Sequence, residues 1–264
     1  MTRRSHYSTA LAQAQGIFSE TMTLFDLWQE GMGADELFEK ARAQNILGSA
    51  SERRLRNIVI EGFASRYLRE PILEAAATLK TLFGSSPDTR LLQQLNLLYT
   101  ARQHGILFDF IKDIYWSKVA FGASGVSAKE IGVLIDKGLL TGKLEKNWSP
   151  SVRERVSGYV LGAAADLGVL GPSRAGNRPI EYWRPLDALQ IYLAYDLHFY
   201  GFSDDEVATS EEWQLLGLSR NDVSESFSRL QQGGHWIAQD TGHLIRIEWT
   251  YKSRKELIDV LHTG

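Results

Sequence analysis

The residues of this chain whose types and spacing could do chemistry are cations grouped on helical segments, and the chemistry is phosphate binding. In Arg53-Arg54-Leu55-Arg56-Asn57, three guanidinium groups and an amide surround one apolar position. Such groups bind phosphate oxygens and base edges when a helix presents them. A second set runs through Lys143, Lys146, Arg153, Arg155, Arg174 and Arg178. Between Lys137 and Arg184, eight cations stand against four anions (Glu145, Glu154, Asp166 and Glu181), a local charge of +4 in a chain of net charge −3. A chain this close to neutral does not coat nucleic acid indiscriminately, so any phosphate-binding surface must be local.

Other chemistries find little support. The chain has no cysteine, which removes disulfides, thiol nucleophiles, Fe–S clusters and cysteine-ligated zinc together. The six histidines lack the spacing of a metal-ligand pair; His235 and His243 could meet across a C-terminal hairpin, where an exposed polar pair is the expectation. Asp109 and Asp113 share a helical face beside Lys112 and Tyr115, and a solvated face or a helix contact accounts for them. Gly171 to Gly176 has the spacing of a P-loop, but Asn177-Arg178 stands where Lys and Ser/Thr are required. Pro87-Asp88 has no Glu-x-Lys downstream to complete a nuclease motif, so Asp88 reads as a helix N-cap. The expectation is a protein that is not an enzyme and holds no metal or cofactor.

The first arginine set must be positioned by the stretch Gly33 to Arg69. Leu37, Phe38 and Ala41 recur at helical spacing, and Asn45 and Gly48 are residues that close a helix in the left-handed conformation. A capping box, Ser49-Ala50-Ser51-Glu52, opens a second helix with the apolar stripe Leu55, Ile58, Val59, Gly62 and Phe63. Arg53, Arg54 and Asn57 then lie on other faces of its first turns, the layout of a recognition helix. An ordinary helical hairpin with a solvated arginine face has the same pattern. A preceding helix, Thr21 to Glu30, braces the pair into a trihelical unit.

The second set follows two helices expected to be buried, Leu91 to Ala101 and Ile106 to Trp116, whose apolar density suits a central core or a dimer face. Ser127 and Glu130 form another capping box, with a helix through Ile131, Leu134 and Ile135 to Gly138. Ser149-Pro150 then starts a helix burying Val152, Val156, Tyr159, Val160, Ala163 and Leu167. Val169-Leu170 and Ile180 to Trp183 flank a Gly/Pro/Asn loop carrying Arg174 and Arg178, which reads as the hairpin wing of a winged helix. The last third repeats this plan with opposite charge: seven acids against Arg220 and Arg229 give −5 between Ser203 and Gly234. Serines 203, 210 and 219 cap helices there. A hairpin then turns at Asp240-Thr241-Gly242, and its second strand alternates Ile245, Ile247, Trp249 and Tyr251 with Arg246, Glu248 and Thr250. That second wing suits a protein partner better than DNA.

The fold expected is mainly α, a helical bundle with helix-turn-helix and winged-helix-like modules and short β-hairpin wings. Residues 1–84 would form an N-terminal helix-turn-helix-like domain, 85–185 a central helical domain with the first winged unit, and 186–264 a C-terminal winged-helix-like domain. The N-terminal arm has no apolar core for a signal peptide, and the most apolar run, Tyr159 to Leu170, is short and contains Asp166. A cytoplasmic protein with no membrane association is expected.

The N-terminal third resembles the BrxA family of bacterial BREX phage-defence systems. The residues that carry this are Ser8-Thr9-Ala10-Leu11, Ser19-Glu20-Thr21 ahead of Leu27-Trp28 and Gly31, Asn45-Ile46-Leu47-Gly48, the Arg53/Arg56 pair, and Phe63 with Arg66-Tyr67. The resemblance implies a non-enzymatic, mostly helical component encoded beside a methyltransferase, an alkaline-phosphatase-like protein and ATPases, binding double-stranded DNA through helix-turn-helix-like modules. Such a protein would take phosphate contacts with weak sequence preference. Two alternatives stand beside it: an adaptor docking other BREX subunits through its winged-helix surfaces, and a sequence-specific regulator that binds one operator as a dimer.

Overall fold

A computed structural model describes residues 6–48, 50–69, 73–84, 88–241 and 244–261. The protein is mainly helical with two small antiparallel sheets. In chain order its elements begin with α1 (Leu11–Ala14), α2 (Phe18–Leu27) and α3 (Ala34–Ala43). Then α4 (Glu52–Arg56) continues through π-helical turns (Asn57–Ala64) into α5 (Ser65–Tyr67). Next come α6 (Leu73–Gly84), α7 (Thr89–Gln103), and α8 (Gly105–Asp109) running through a second π-helical stretch (Phe110–Tyr115) into α9 (Trp116–Ala120). β1 (Gly125–Ser127), α10 (Ala128–Leu140), α11 (Pro150–Asp166) and β2 (Asn177–Pro179) follow. The chain closes with α12 (Asp187–Phe199), α13 (Asp204–Thr209), α14 (Arg220–Leu230), the strands β3 (Trp236–Asp240) and β4 (Ile245–Trp249), and α15 (Arg254–Leu261). The chain divides into two compact units: one takes in the residues up to Ala76 and Gln93–Trp183, the other Ala77–Leu92 and everything from Arg184 on.

In the first unit, the expected apolar positions do form the core. Leu37, Phe38 and Ala41 of α3 are buried, as are Leu55, Ile58, Val59 and Phe63 of the following helix. Phe25 of α2 meets Phe63 edge-on at 4.7 Å and Tyr67 at 4.9 Å, a geometry that adds to area burial. Asn45 and Gly48 take φ of 48° and 61°, as a helix-closing turn requires. The capping serine is Ser51, whose Oγ accepts from the Arg54 N–H at 3.2 Å; its extended backbone directly precedes Glu52. The expected cap Ser49 lies outside the described residues. Gly62 serves close approach: a Cβ there would stand 2.7 Å from the Ala14 Cβ, so α1 packs directly on the π-helical turns.

Leu95, Leu98, Ile106, Leu107, Phe108, Phe110 and Ile111 are at most 1% exposed, so the apolar density of α7 and α8 belongs to the core of this unit. The capping box of α10 is formed, with Ser127 and Glu130 each bonding the other's backbone or hydroxyl. α10 runs two residues beyond Gly138, and that glycine faces the Tyr7 ring, which would lie 2.4 Å from an added Cβ. The stretch after α11 folds back as expected, with a bridge between Leu170 and Ile180 and another between Arg174 and Asn177. β1 adds to its other side, Val126 opposite Arg178 and Ser127 opposite Asn177.

The second unit centres on α12 and the β3–β4 hairpin, registered Trp236 to Trp249 and Ala238 to Ile247. Ile245, Ile247 and Trp249 are buried while Arg246 and Glu248 are exposed, the alternation of a sheet with one packed face. The Tyr195 hydroxyl donates to the His235 carbonyl and accepts from the Thr250 and Tyr251 N–H groups at 3.1 and 3.2 Å. Asp204, first residue of α13, accepts from the Ile247 N–H at 2.9 Å and the Trp249 Nε1–H at 3.0 Å, closing the outer edge of β4. Capping boxes Ser203/Glu206 and Ser219/Asp222 start α13 and α14. No helix among the described residues is long and apolar enough to cross a membrane.

Candidate nucleic-acid interface

The first arginine set splits once the helix is built. Arg53 and Arg56 are exposed on α4, with the Arg56 guanidinium 5.8 Å from the centre of the Phe38 ring. Arg54 instead turns inward and donates to the Gln13 carbonyl of α1 at 3.0 Å. Asn57, half-buried, is the first residue of the π-helical turns.

The second set splits in the same way. Lys143 is drawn to the buried Asp109 carboxylate at 2.5 Å, which the Tyr7 hydroxyl also bonds at 2.8 Å. Arg153 is held by Asp136 at 2.7 Å and by the Gly132 carbonyl at 3.2 Å, which ties α11 to α10. Arg178 donates to the Gly171 carbonyl at 3.2 Å across the base of the small sheet. Lys146, Arg155 and Arg174 remain exposed. Lys146 borders a cavity of about 410 Å³ with Trp148, His6 and Tyr7, and among the described residues Arg155 bonds only its own helix, at the Ser151 carbonyl. Arg174 stands at the turn of the hairpin, where Ala175 and Gly176 take positive φ. The segment with P-loop spacing is therefore the tip of that hairpin.

Arg66 carries more of the architecture than its sequence context announces. It is fully buried, donates to the Gly16 carbonyl at 2.9 Å and to the Gln15 carbonyl, and burial pulls its pKa down to about 10. Asn96 adds a bond to the Gly16 carbonyl at 3.3 Å. These groups hold a sharp bend in which Gln15 and Ile17 take φ of 54° and 44°, values strained for residues with side chains. Beside the bend lies a cavity of about 240 Å³ lined by Ser19, Glu20, Arg54 and Asp166. Asp166 is raised above the usual aspartate range by desolvation, against the Gly16 N–H that bonds it.

The remaining candidate groups are structural. Asp113 pairs with Lys137 at 2.8 Å, so Asp109 and Asp113 serve helix contacts. In Glu130 the bonds from Lys118 and Ser127 outweigh the upward push of burial and hold the carboxyl at about 2. His235 Nδ1 lies 2.9 Å from the Tyr251 hydroxyl, and His198 stacks on Trp249 at 4.3 Å; burial lowers both. His243 lies outside the described residues. Asp88 accepts from the Arg90 N–H at 2.9 Å, an N-cap of α7. Among the described residues, no three His, Asp or Glu side chains are grouped to hold a metal ion.

No curated protein matches the chain. The model of the BrxA family matches residues 5–194, which takes in the first unit's segments and α12 up to Ala194. With that match over most of its length, the chain belongs to the BrxA family, a family of BREX-associated phage-defence proteins.

Proposed function

We propose that this protein is a non-enzymatic, cytoplasmic accessory component of a BREX system that binds double-stranded DNA without a cofactor and with weak sequence preference. The observation that carries the reading is the order β1, α10, α11, returning hairpin, with β1 laid against the hairpin and an exposed Arg174 at its tip. A winged helix is built in this order. α11 would then be its second, groove-facing helix, with Lys146 ahead of it and Arg155 on it, and the hairpin would be its wing. Arg53 and Arg56 on α4 supply a second, helix-turn-helix-like contact. Lys143 and Arg153 serve chiefly to hold this module together, because each is already matched to a carboxylate.

Anisotropy with two unrelated duplexes across a salt series tests this. Both should bind with similar affinity, and log K should fall with log salt by about 0.9 per phosphate neutralised. Arg155→Ala/Arg174→Ala should weaken both duplexes alike and flatten that slope. No binding of either duplex at low salt sinks the reading. A second reading, an adaptor for other BREX subunits, is favoured by the second unit, where Ile237 and Leu244 are 58% and 49% exposed near the acidic helices. Co-purification of a BREX subunit that is lost on Ile237→Asp, with no DNA binding, would favour it.

A further inference from the structure

We propose that the cavity of about 410 Å³ at the α10–α11 turn is a binding site for a single nucleotide, its base stacked on Trp148 and its phosphate held by Lys143 and Lys146. The ligand is one unstacked base with its phosphate, which goes beyond duplex binding. The residue that points to it is Trp148, half-buried and two residues ahead of α11. The chain has seven tryptophans. Trp28, Trp213, Trp236 and Trp249 each donate the indole N–H to an acceptor, and Trp116 and Trp183 meet edge-on at 5.8 Å. Among the described residues, Trp148 alone has neither a ring neighbour nor a hydrogen bond from its indole. An unmatched indole face on a cavity is a stacking platform for a base.

The rest of the wall is held in place before any ligand arrives. The Tyr7 N–H donates to the Lys143 carbonyl at 2.7 Å. The Tyr7 hydroxyl and the Lys143 ammonium both bond the buried Asp109 carboxylate, at 2.8 and 2.5 Å, and the Tyr7 ring lies against Gly138. A preformed wall of this kind loses little freedom on binding. Lys143 gives one of its three donors to Asp109, which leaves two for an anion in the cavity. Lys146 is exposed, and His6 lines the same space, where the carboxylate is that of Glu145. An aromatic face for a base and ammonium groups for a phosphate are the two elements that recognise a nucleotide, and the volume falls in the range of small-molecule sites. Two other cavities lack the combination. The one beside the bend is lined by the carboxylates of Glu20 and Asp166, which oppose phosphate, and one of about 170 Å³ between α3 and α4 has no aromatic wall. Because the site lies in the turn that leads into α11, the nucleotide can come from DNA or from solution.

The test titrates the protein with deoxyadenosine monophosphate, deoxyadenosine and inorganic phosphate, following tryptophan fluorescence and, independently of the indole, heat. The monophosphate should bind saturably and quench, deoxyadenosine should bind more weakly, and phosphate alone should not quench. Trp148→Ala should weaken the monophosphate roughly tenfold or more, as for the loss of one base stack, while Trp148→Phe keeps most of the affinity. Lys146→Ala, at an exposed position that folding does not need, should weaken the monophosphate roughly three- to fivefold and leave deoxyadenosine unchanged. Lys129→Ala, which removes an exposed lysine of α10 outside the cavity, should change neither. No saturable binding of the monophosphate in the millimolar range, or full affinity in both Trp148→Ala and Lys146→Ala, would overturn the proposal and leave duplex binding standing. Displacement of the bound monophosphate by DNA separates the two sources. A duplex with one unpaired adenine that competes better than the fully paired duplex assigns the site to an unstacked base of DNA; equal competition, or none, assigns it to a free nucleotide. Failure of both duplexes to bind at low salt would sink the DNA-binding reading while the nucleotide site stands.

Discussion

Replacing Arg66 by methionine tests whether the bend at Gln15-Gly16 is held by a buried charge or by packing alone. The guanidinium is completely buried and burial pulls its pKa down to about 10, so at 1.36 kcal/mol per unit burial works against the charge by about 3 kcal/mol. Its Nε has no partner among the described residues, which adds to the cost. Against this stand two charge-assisted bonds to the Gly16 and Gln15 carbonyls, each contributing about 1.5–3 kcal/mol. The charge therefore roughly balances its own burial, and methionine of similar length would be close to neutral if nothing else changed. What changes is the pair of carbonyls left dry. The Gly16 carbonyl keeps Asn96 at 3.3 Å, but that of Gln15 loses its guanidinium, at about 1–3 kcal/mol for an unsatisfied buried group. The strain of about 1–3 kcal/mol per residue at Gln15 and Ile17 is then free to relax, so the bend opens and does not persist around a bare carbonyl. The net expectation is a destabilisation of about 1–3 kcal/mol, a fall in Tm of roughly 2–12 °C for a chain of this size. Calorimetry or a circular-dichroism melt measures it, with Arg66→Lys intermediate because lysine lacks the two-pronged fork. A methionine variant as stable as wild type would refute the account, since packing would then hold the bend.

Two further outcomes follow from charge placement. Glu130 is held at about 2, below its ordinary 4.5, so its stabilisation is complete above 4.5 and drains away as the pH falls toward about 2. The Tm difference between wild type and Glu130→Gln should follow that course; a difference constant through acid pH would show that the capping box and not the charge matters. Asp204→Ala should speed amide exchange at Ile247 and lower stability by about 1–3 kcal/mol, because one N–H on the edge of β4 and the Trp249 indole lose their acceptor. Asp204→Asn should retain part of it, and unchanged exchange in the alanine variant would remove the edge-closing role.

The difference between what was legible in the sequence and what was not is physical. The capping box Ser127/Glu130 and the caps Ser203 and Ser219 were readable because a cap and the N–H groups it serves lie within one turn. So was the alternation of Ile245, Ile247 and Trp249, which reports a packed face directly. β1 was missed: three residues carry no periodicity, and its partner β2 lies far along the chain. Cation types say where phosphate could bind, but not which cations a neighbour has already claimed. Arg153 and Arg54 look alike in sequence to Arg155 and Arg53. They differ only in having Asp136 or the Gln13 carbonyl within reach. Arg66 is the extreme case, an arginine at zero exposure, which nothing in its neighbouring sequence sets apart from a surface residue.

The bend between α1 and α2 connects the two arginine sets more directly than any element that carries them. Ala14 and Ile17 reach the Gly62 backbone of the π-helical turns, and the Gln15 side chain lies against Gly162 of α11. Arg66, from the first helical module, and Asp166, from the second, both bond the backbone of Gly16. Glycine is required there because Asp166 leaves no room for a side chain. Loss of Arg66 should therefore loosen the contacts of the bend with Gly62 and with Gly162 together and lower stability.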